Sequence, residues 1–154
     1  MSNINLGPQD SFLSLATLAL PAAGANNTTG VMDLECVGPF SDGKYTGLIA
    51  VTVPPLPNLV ATYSITLQIQ VAEPSLTASS PAPGANVPGA FANANPSQII
   101  TINGVAGGYQ GGVFYFFIPI DSTGNTYQYV QVLQTAGAGA TTEGEIVTYS
   151  FIKA

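Results

Sequence analysis

The only side chains able to do acid–base work here are carboxylates. Two pairs have i, i+2 spacing, Asp33 with Glu35 and Glu143 with Glu145. On a strand, each pair projects to one face with its Cα atoms about 6.5–7 Å apart. A pair of glycosidase carboxyls needs about 5–9.5 Å, so the spacing is admissible. Sugar sites usually add aromatic platforms, and the chain has no Trp. Isolated acids also keep strand edges and turns soluble, and that is the simpler reading of both pairs. Without His there is no imidazole base, no Ser-His or Cys-His nucleophile and no His-ligated metal. The lone Cys36 can make neither an internal disulfide nor a Cys-rich zinc site, and its apolar-leaning surroundings suit an inert buried thiol.

Two loops invite a ligand. Asp121-Ser-Thr-Gly-Asn125 supplies a fraction of the six to eight oxygens calcium takes, and its residue types are those of a hairpin turn. Gly104-Val-Ala-Gly-Gly-Tyr-Gln-Gly-Gly112 has no Gly-Lys-Ser/Thr ending and no following helix, so it is expected to be a flexible connection between strands, not a phosphate cradle. No catalytic residue, cofactor or metal is therefore expected, and no enzymatic activity.

The composition narrows the classes further. Among 154 residues there are eight acids and two bases, Lys44 and Lys153, for a net charge of −6. Charged residues are 6% of the chain, against about 25% in an average globular protein. Two lysines cannot neutralise a run of phosphates, which excludes nucleic acid as a partner. The same shortage excludes an electrostatic membrane anchor. Apolar residues make up 46%, too many for a disordered chain. The length suits one domain with a real core. Phe12–Leu20 followed by Pro21-Ala22-Ala23 has the outline of a signal peptide, but no Lys or Arg precedes it and Asp10 does, so a secretory signal is not expected.

What positions these side chains is a set of strands. Tyr63, Ile65, Leu67, Ile69 and Val71 alternate with Ser, Thr and Gln, the pattern of a half-buried antiparallel strand. Seven further segments read as strands: Phe12–Leu20, Thr29–Cys36, Tyr45–Val53, Ser97–Asn103, Val113–Ile120, Thr126–Gln134 and Gly144–Ile152. Each is rich in β-branched or aromatic residues and bounded by Gly, Pro or Asn. The expected fold is all-β, an antiparallel β-sandwich of about eight strands with jelly-roll as the matching architecture. The run Phe114-Tyr-Phe-Phe117 is too apolar for a solvated strand, and reads first as a central core strand and second as an interface strand.

The expected organisation is an N-terminal arm, residues 1–11, and a strand domain, residues 12–154, interrupted by a Pro/Ala/Asn-rich loop at 72–96 with five prolines. Arm and loop are polar, small-residue segments that bury little of themselves and call for support from another chain. Leu6 and Phe12 in and beside the arm, and Phe91 in the loop, are their best apolar anchors. The scarcity of edge lysines points to self-association, for which closed symmetric pairing is the common outcome.

A polar arm comes first, then Thr29-Gly-Val-Met-Asp33-Leu34, the alternating Ser64–Val71 strand and a long small-residue loop. An aromatic strand ending Phe117-Ile-Pro119, the segment Tyr127-Gln-Tyr-Val-Gln-Val132 and a closing Glu143-Gly-Glu-Ile-Val147 strand follow. In this order the chain resembles the jelly-roll cement, or decoration, proteins of tailed bacteriophages over about Ser11 to Ile152; the proline-rich loop departs from that pattern. The resemblance implies a virion protein on the outer capsid surface, assembled in the host cytoplasm, whose partner is the major capsid protein and which has no active site; it favours a homodimer at a two-fold, with a homotrimer at a three-fold as the alternative. Low charge fits that role independently, because it lowers the desolvation cost of burying surface. Two other classes stay open: an extracellular or phage-fibre adhesin or carbohydrate-binding sandwich, marked by an exposed aromatic platform, and a carboxylate enzyme, marked by a cleft holding two acids.

Overall fold

The computed structural model describes residues 12–34, 47–72, 74–75, 87–120 and 127–153. Within them the chain forms β1 (Phe12–Ala19), β2 (Asn26–Thr28), β3 (Met32–Asp33), β4 (Gly47–Val53), β5 (Ser64–Ala72), β6 (Pro74–Ser75), β7 (Val87–Pro88), β8 (Ala92–Asn93), β9 (Ile99–Asn103), β10 (Gly112–Phe117), β11 (Tyr129–Ala136) and β12 (Ile146–Lys153). One antiparallel sheet has the order β1-β12-β4-β10. The other runs β2-β11-β5-β8, with β3 also on β11 and β9 also on β5. The fold is an all-β antiparallel sandwich.

The alternation in the sequence becomes the sandwich interior. Ile65, Leu67 and Ile69 of β5 and Val130 and Val132 of β11 are fully buried, and they pack with Ile49 and Val51 of β4, Phe116 of β10, and Val147 and Tyr149 of β12. β1 reaches its place through a bulge. Its register with β12 shifts between Ser14 and Ala16, leaving Leu15 as the extra residue. The partners of the buried Phe151 and Tyr149 thus change from an odd-numbered residue, Leu13, to an even-numbered one, Ala16.

Several segments differ from expectation. Of the strand expected at Thr29–Cys36, the described part holds only the short β3; β2 ends at Thr28, before that span, and at Thr29 the side chain enters the ladder, since the Thr29 N–H donates to the Val132 carbonyl but the Val132 N–H donates to Thr29 Oγ1. Cys36 lies outside the described residues. The loop at 72–96 is not structureless where it is described. β6 pairs β7, β8 pairs β5, and Ala94 is buried with its N–H on the Ile69 carbonyl. Its own domain therefore supports its C-terminal part. Tyr63 is 38% exposed and is not on the core face. The chain turns at Thr62 (φ +82°) before β5 begins, and the Tyr63 ring lies over Gly139, where a Cβ would come within 2.5 Å of it.

The glycine-rich stretch 104–112 is pinned, not a loose connection. Leu56 and Tyr109 exchange backbone hydrogen bonds at 2.7 and 3.0 Å. A Cβ on Gly104 would sit 2.0 Å from the Val60 carbonyl oxygen, and one on Gly108 (φ +93°) 2.5 Å from that of Pro57. The glycines let two loops approach backbone to backbone.

Candidate interaction surface

Among the described residues the acids, Asp33, Glu143 and Glu145, form no cluster. Asp33 ends β3, and its carboxylate accepts from Gln128 Nε2 at 3.3 and 3.4 Å; Glu35 lies outside the described residues. Glu143 and Glu145 are exposed in the turn before β12, not side by side on a strand. Gly144 between them has φ +90°, its N–H donates to the Leu20 carbonyl, and the Glu145 carbonyl accepts from the Leu20 N–H. The pair therefore flanks the tie between this turn and the end of β1. Among the described residues no group of three His, Cys, Asp or Glu side chains could hold a metal. The candidate calcium loop at 121–125 lies outside the described residues.

The two outer faces of the sandwich differ. On the β2-β11-β5-β8 sheet, polar amides satisfy one another. Gln131 Nε2 donates to Gln70 Oε1 at 2.8 Å, Gln70 Nε2 to Asn93 Oδ1 at 3.1 Å, and Gln68 Nε2 to Ser97 Oγ at 3.3 Å. On the β1-β12-β4-β10 sheet, the register aligns crosswise rows. One is Thr17–Thr148–Thr52–Val113, the next Ser14–Ser150–Ala50–Tyr115, and the last Phe12–Ile152–Leu48–Phe117. No row holds a charge; Lys153, the last residue of β12, is the one charged residue in the four strands. Val113 and Tyr115 are about half exposed, Phe117 is 72% exposed and Ile146 is 50% exposed. The result is a broad uncharged face, hydroxyl and methyl in the middle and apolar at one end.

Among the described residues the aromatic run thus forms an edge strand, not a central one. Phe116 fills the core and Phe114 packs against it, while Tyr115 and Phe117 face out. A side chain closes the end of the edge: the Phe117 N–H donates to Gln98 Oε1 at 2.8 Å, and Gln98 Nε2 donates to the Phe117 carbonyl at 3.1 Å. Gln98 takes the place of a neighbouring strand at that one residue. Beside it lies an apolar groove of about 310 Å³ lined by Ala94, Asn95, Pro96, Gln98, Phe117, Ile118, Pro119 and Ile120. None of these described lining residues carries a titratable side chain.

Of the anchors expected from sequence, Phe12 opens β1 at the apolar end row, Phe91 is half-buried just before β8, and Leu6 lies outside the described residues. Val113, Tyr115, Phe117 and Gln98 were not singled out as contacts. The aromatic run Phe114–Phe117 is the available signal for Tyr115 and Phe117; nothing local marks Val113 or Gln98. No protein-family model matches the chain, and no curated protein is similar to it.

Proposed function

We propose that the chain is a structural virion protein, a cement or decoration protein that seats on the outer surface of a tailed-phage head and bridges subunits of its major capsid protein. The observation that carries this reading is the uncharged outer face of the β1-β12-β4-β10 sheet, with Val113, Tyr115, Phe117 and Ile146 exposed on it. A surface that must be buried against protein pays little desolvation if it bears no charge, and aromatic residues supply most of the contact energy. The strand order adds support. Numbering the eight main strands β1, β2/β3, β4, β5, β9, β10, β11 and β12, the sheets read 1-8-3-6 and 2-7-4-5, which we read as a jelly roll, the architecture common in capsid proteins. The N-terminal arm, with Leu6 and Phe12, and the 72–96 loop, with Phe91, extend the attachment, and copies self-associate on the shell.

A second reading draws on Tyr115 and Phe117, which lie two residues apart on one face and form the kind of platform on which a carbohydrate-binding module stacks a sugar ring. Their neighbours across the sheet are Ala50, Leu48, Ser150 and Ile152. These offer one hydroxyl and none of the carboxylates or amides that orient a sugar, so the capsid reading is preferred. The test is to image heads of the phage that encodes the chain, with and without the protein, and to repeat the binding with Phe117→Glu. Wild-type protein should occupy regular sites, and the variant, equally stable, should occupy few or none. Heads that bind no wild-type protein, or unchanged occupancy by Phe117→Glu, would refute the proposal.

A further inference from the structure

The edge of β10 is built to accept one more strand along part of its length. The bonds from Gln98 show that the Phe117 N–H and C=O point away from β4. Because an antiparallel ladder alternates, the N–H and C=O groups of Tyr115 and Val113 point the same way. Among the described residues no strand pairs with them. The usual protections of an edge are missing here: β10 has no bulge against β4, no proline, and no charged residue. The whole stretch from Pro74 to Ile120 lacks a charge, so an identical edge meets no repulsion despite the net −6.

We propose that two copies of the chain pair antiparallel through β10 across a two-fold axis centred on Phe114. Val113 of each copy then exchanges both backbone hydrogen bonds with Tyr115 of the other, joining the two four-stranded sheets into one of eight strands. The Gln98 clamp sets this register. It occupies the next outward-facing residue, Phe117, so the ladder closes after Val113 and Tyr115. The three exposed side chains of β10 offer roughly 300 Å² per copy at 150–250 Å² for each aromatic ring, well below the ~800 Å² per partner of a tight dimer. The pairing is therefore weak in free solution and is completed where copies are held side by side. It rests on the self-association part of the proposed function and not on the capsid role, since it is measured on the protein alone.

The test is sedimentation equilibrium on the full chain from about 10 µM to about 1 mM, a range set by the small area. A dimer should grow in across that range. Val113→Lys, whose side chain lies on the exposed face, should keep the wild-type melting temperature and shift the monomer–dimer midpoint upward by about tenfold or more. Hydrogen exchange on the wild type gives a second readout that needs no variant. The Val113 and Tyr115 amides should gain protection as concentration rises, while the Phe117 amide, held by Gln98, should not change. A monomer at every concentration would overturn the pairing. So would a dimer whose exchange at Val113 and Tyr115 is unchanged, or one lost on deleting Met1–Gln9 but not in Val113→Lys. A dimer that behaves as stated, with heads left undecorated, would sink the capsid reading alone.

Discussion

Gln134 is a polar residue at a core position of β11, fully buried, and its amide is fully used. Its Oε1 accepts from the Tyr149 hydroxyl at 2.7 Å, and its Nε2 donates to Asn27 Oδ1 at 3.0 Å and to the Ala19 carbonyl at 3.1 Å. Asn27 Nδ2 donates to the same carbonyl at 2.9 Å. This network ties β12 to β11 across the sandwich, sheet to sheet. Tyr149→Phe leaves the buried Oε1 without its donor, and chemical denaturation should show a loss of about 1–3 kcal/mol. Burial also raises the Tyr149 hydroxyl's pKa well above the ordinary tyrosine range, and raises that of Tyr109 in the same direction. The folded state thus holds both neutral while the unfolded chain ionises near pH 10, so their contribution is intact below about pH 10 and falls as pH rises beyond it. Melting temperature should drop across that alkaline limb, and the drop should be shallower in Tyr149→Phe. An equal slope would mean that Tyr149 is not the group responsible.

At the scale of elements, β5 carries the alternation and the pairing of the larger sheet, with β11 on one side and β8 and β9 on the other. Leu67 lies at its centre and is fully buried. Leu67→Ala should cost about 2–5 kcal/mol in urea unfolding, since the site is walled by two sheets that cannot collapse onto the gap. The loop pair 54–60 and 104–111 depends on space, not on apolar area. Gly104→Ala drives a methyl into the backbone of Val60, where no side chain can swing away, and should lower the melting temperature sharply. Gly30→Ala is the control: nothing lies within 4 Å of its Cβ, so its melting temperature should stay near wild type.

For the whole molecule, the distribution of charge decides how it meets a partner. Between Tyr45 and Ile120 the one charged residue is Glu73. In the proposed function, attachment through the β1-β12-β4-β10 face, whose one charged residue is Lys153, would be a matter of apolar contact and neutral hydrogen bonds, which salt does not screen. Occupancy on heads, measured between about 0.05 and 1 M NaCl, should be nearly constant, a range over which the screening length falls from above 10 Å to about 3 Å. A steep fall with salt would mean that the acids outside this stretch, not the uncharged face, make the contact.

Strand periodicity, the core positions Ile65, Leu67 and Ile69, and the absence of a basic surface were all legible in the sequence, because each is a property of residue type and local spacing. Which strand lies beside which was not. The aromatic run looks central by composition, yet among the described residues the fold closes β4 between β12 and β10 and leaves β10 at an edge; only long-range pairing decides that. The same holds for Gln98, an ordinary polar residue at the head of an expected strand until the chain brings it against Phe117. Glu143 and Glu145 have strand spacing, but the tie between Leu20 and residues 144–145 turns the chain before β12 begins. Tyr63 continues the alternation of β5 by one residue and is left outside because the turn at Thr62 precedes it. Alternation tells a side chain which face of its own strand it occupies; whether that face meets a second sheet, a loop or solvent depends on partners far away in the chain.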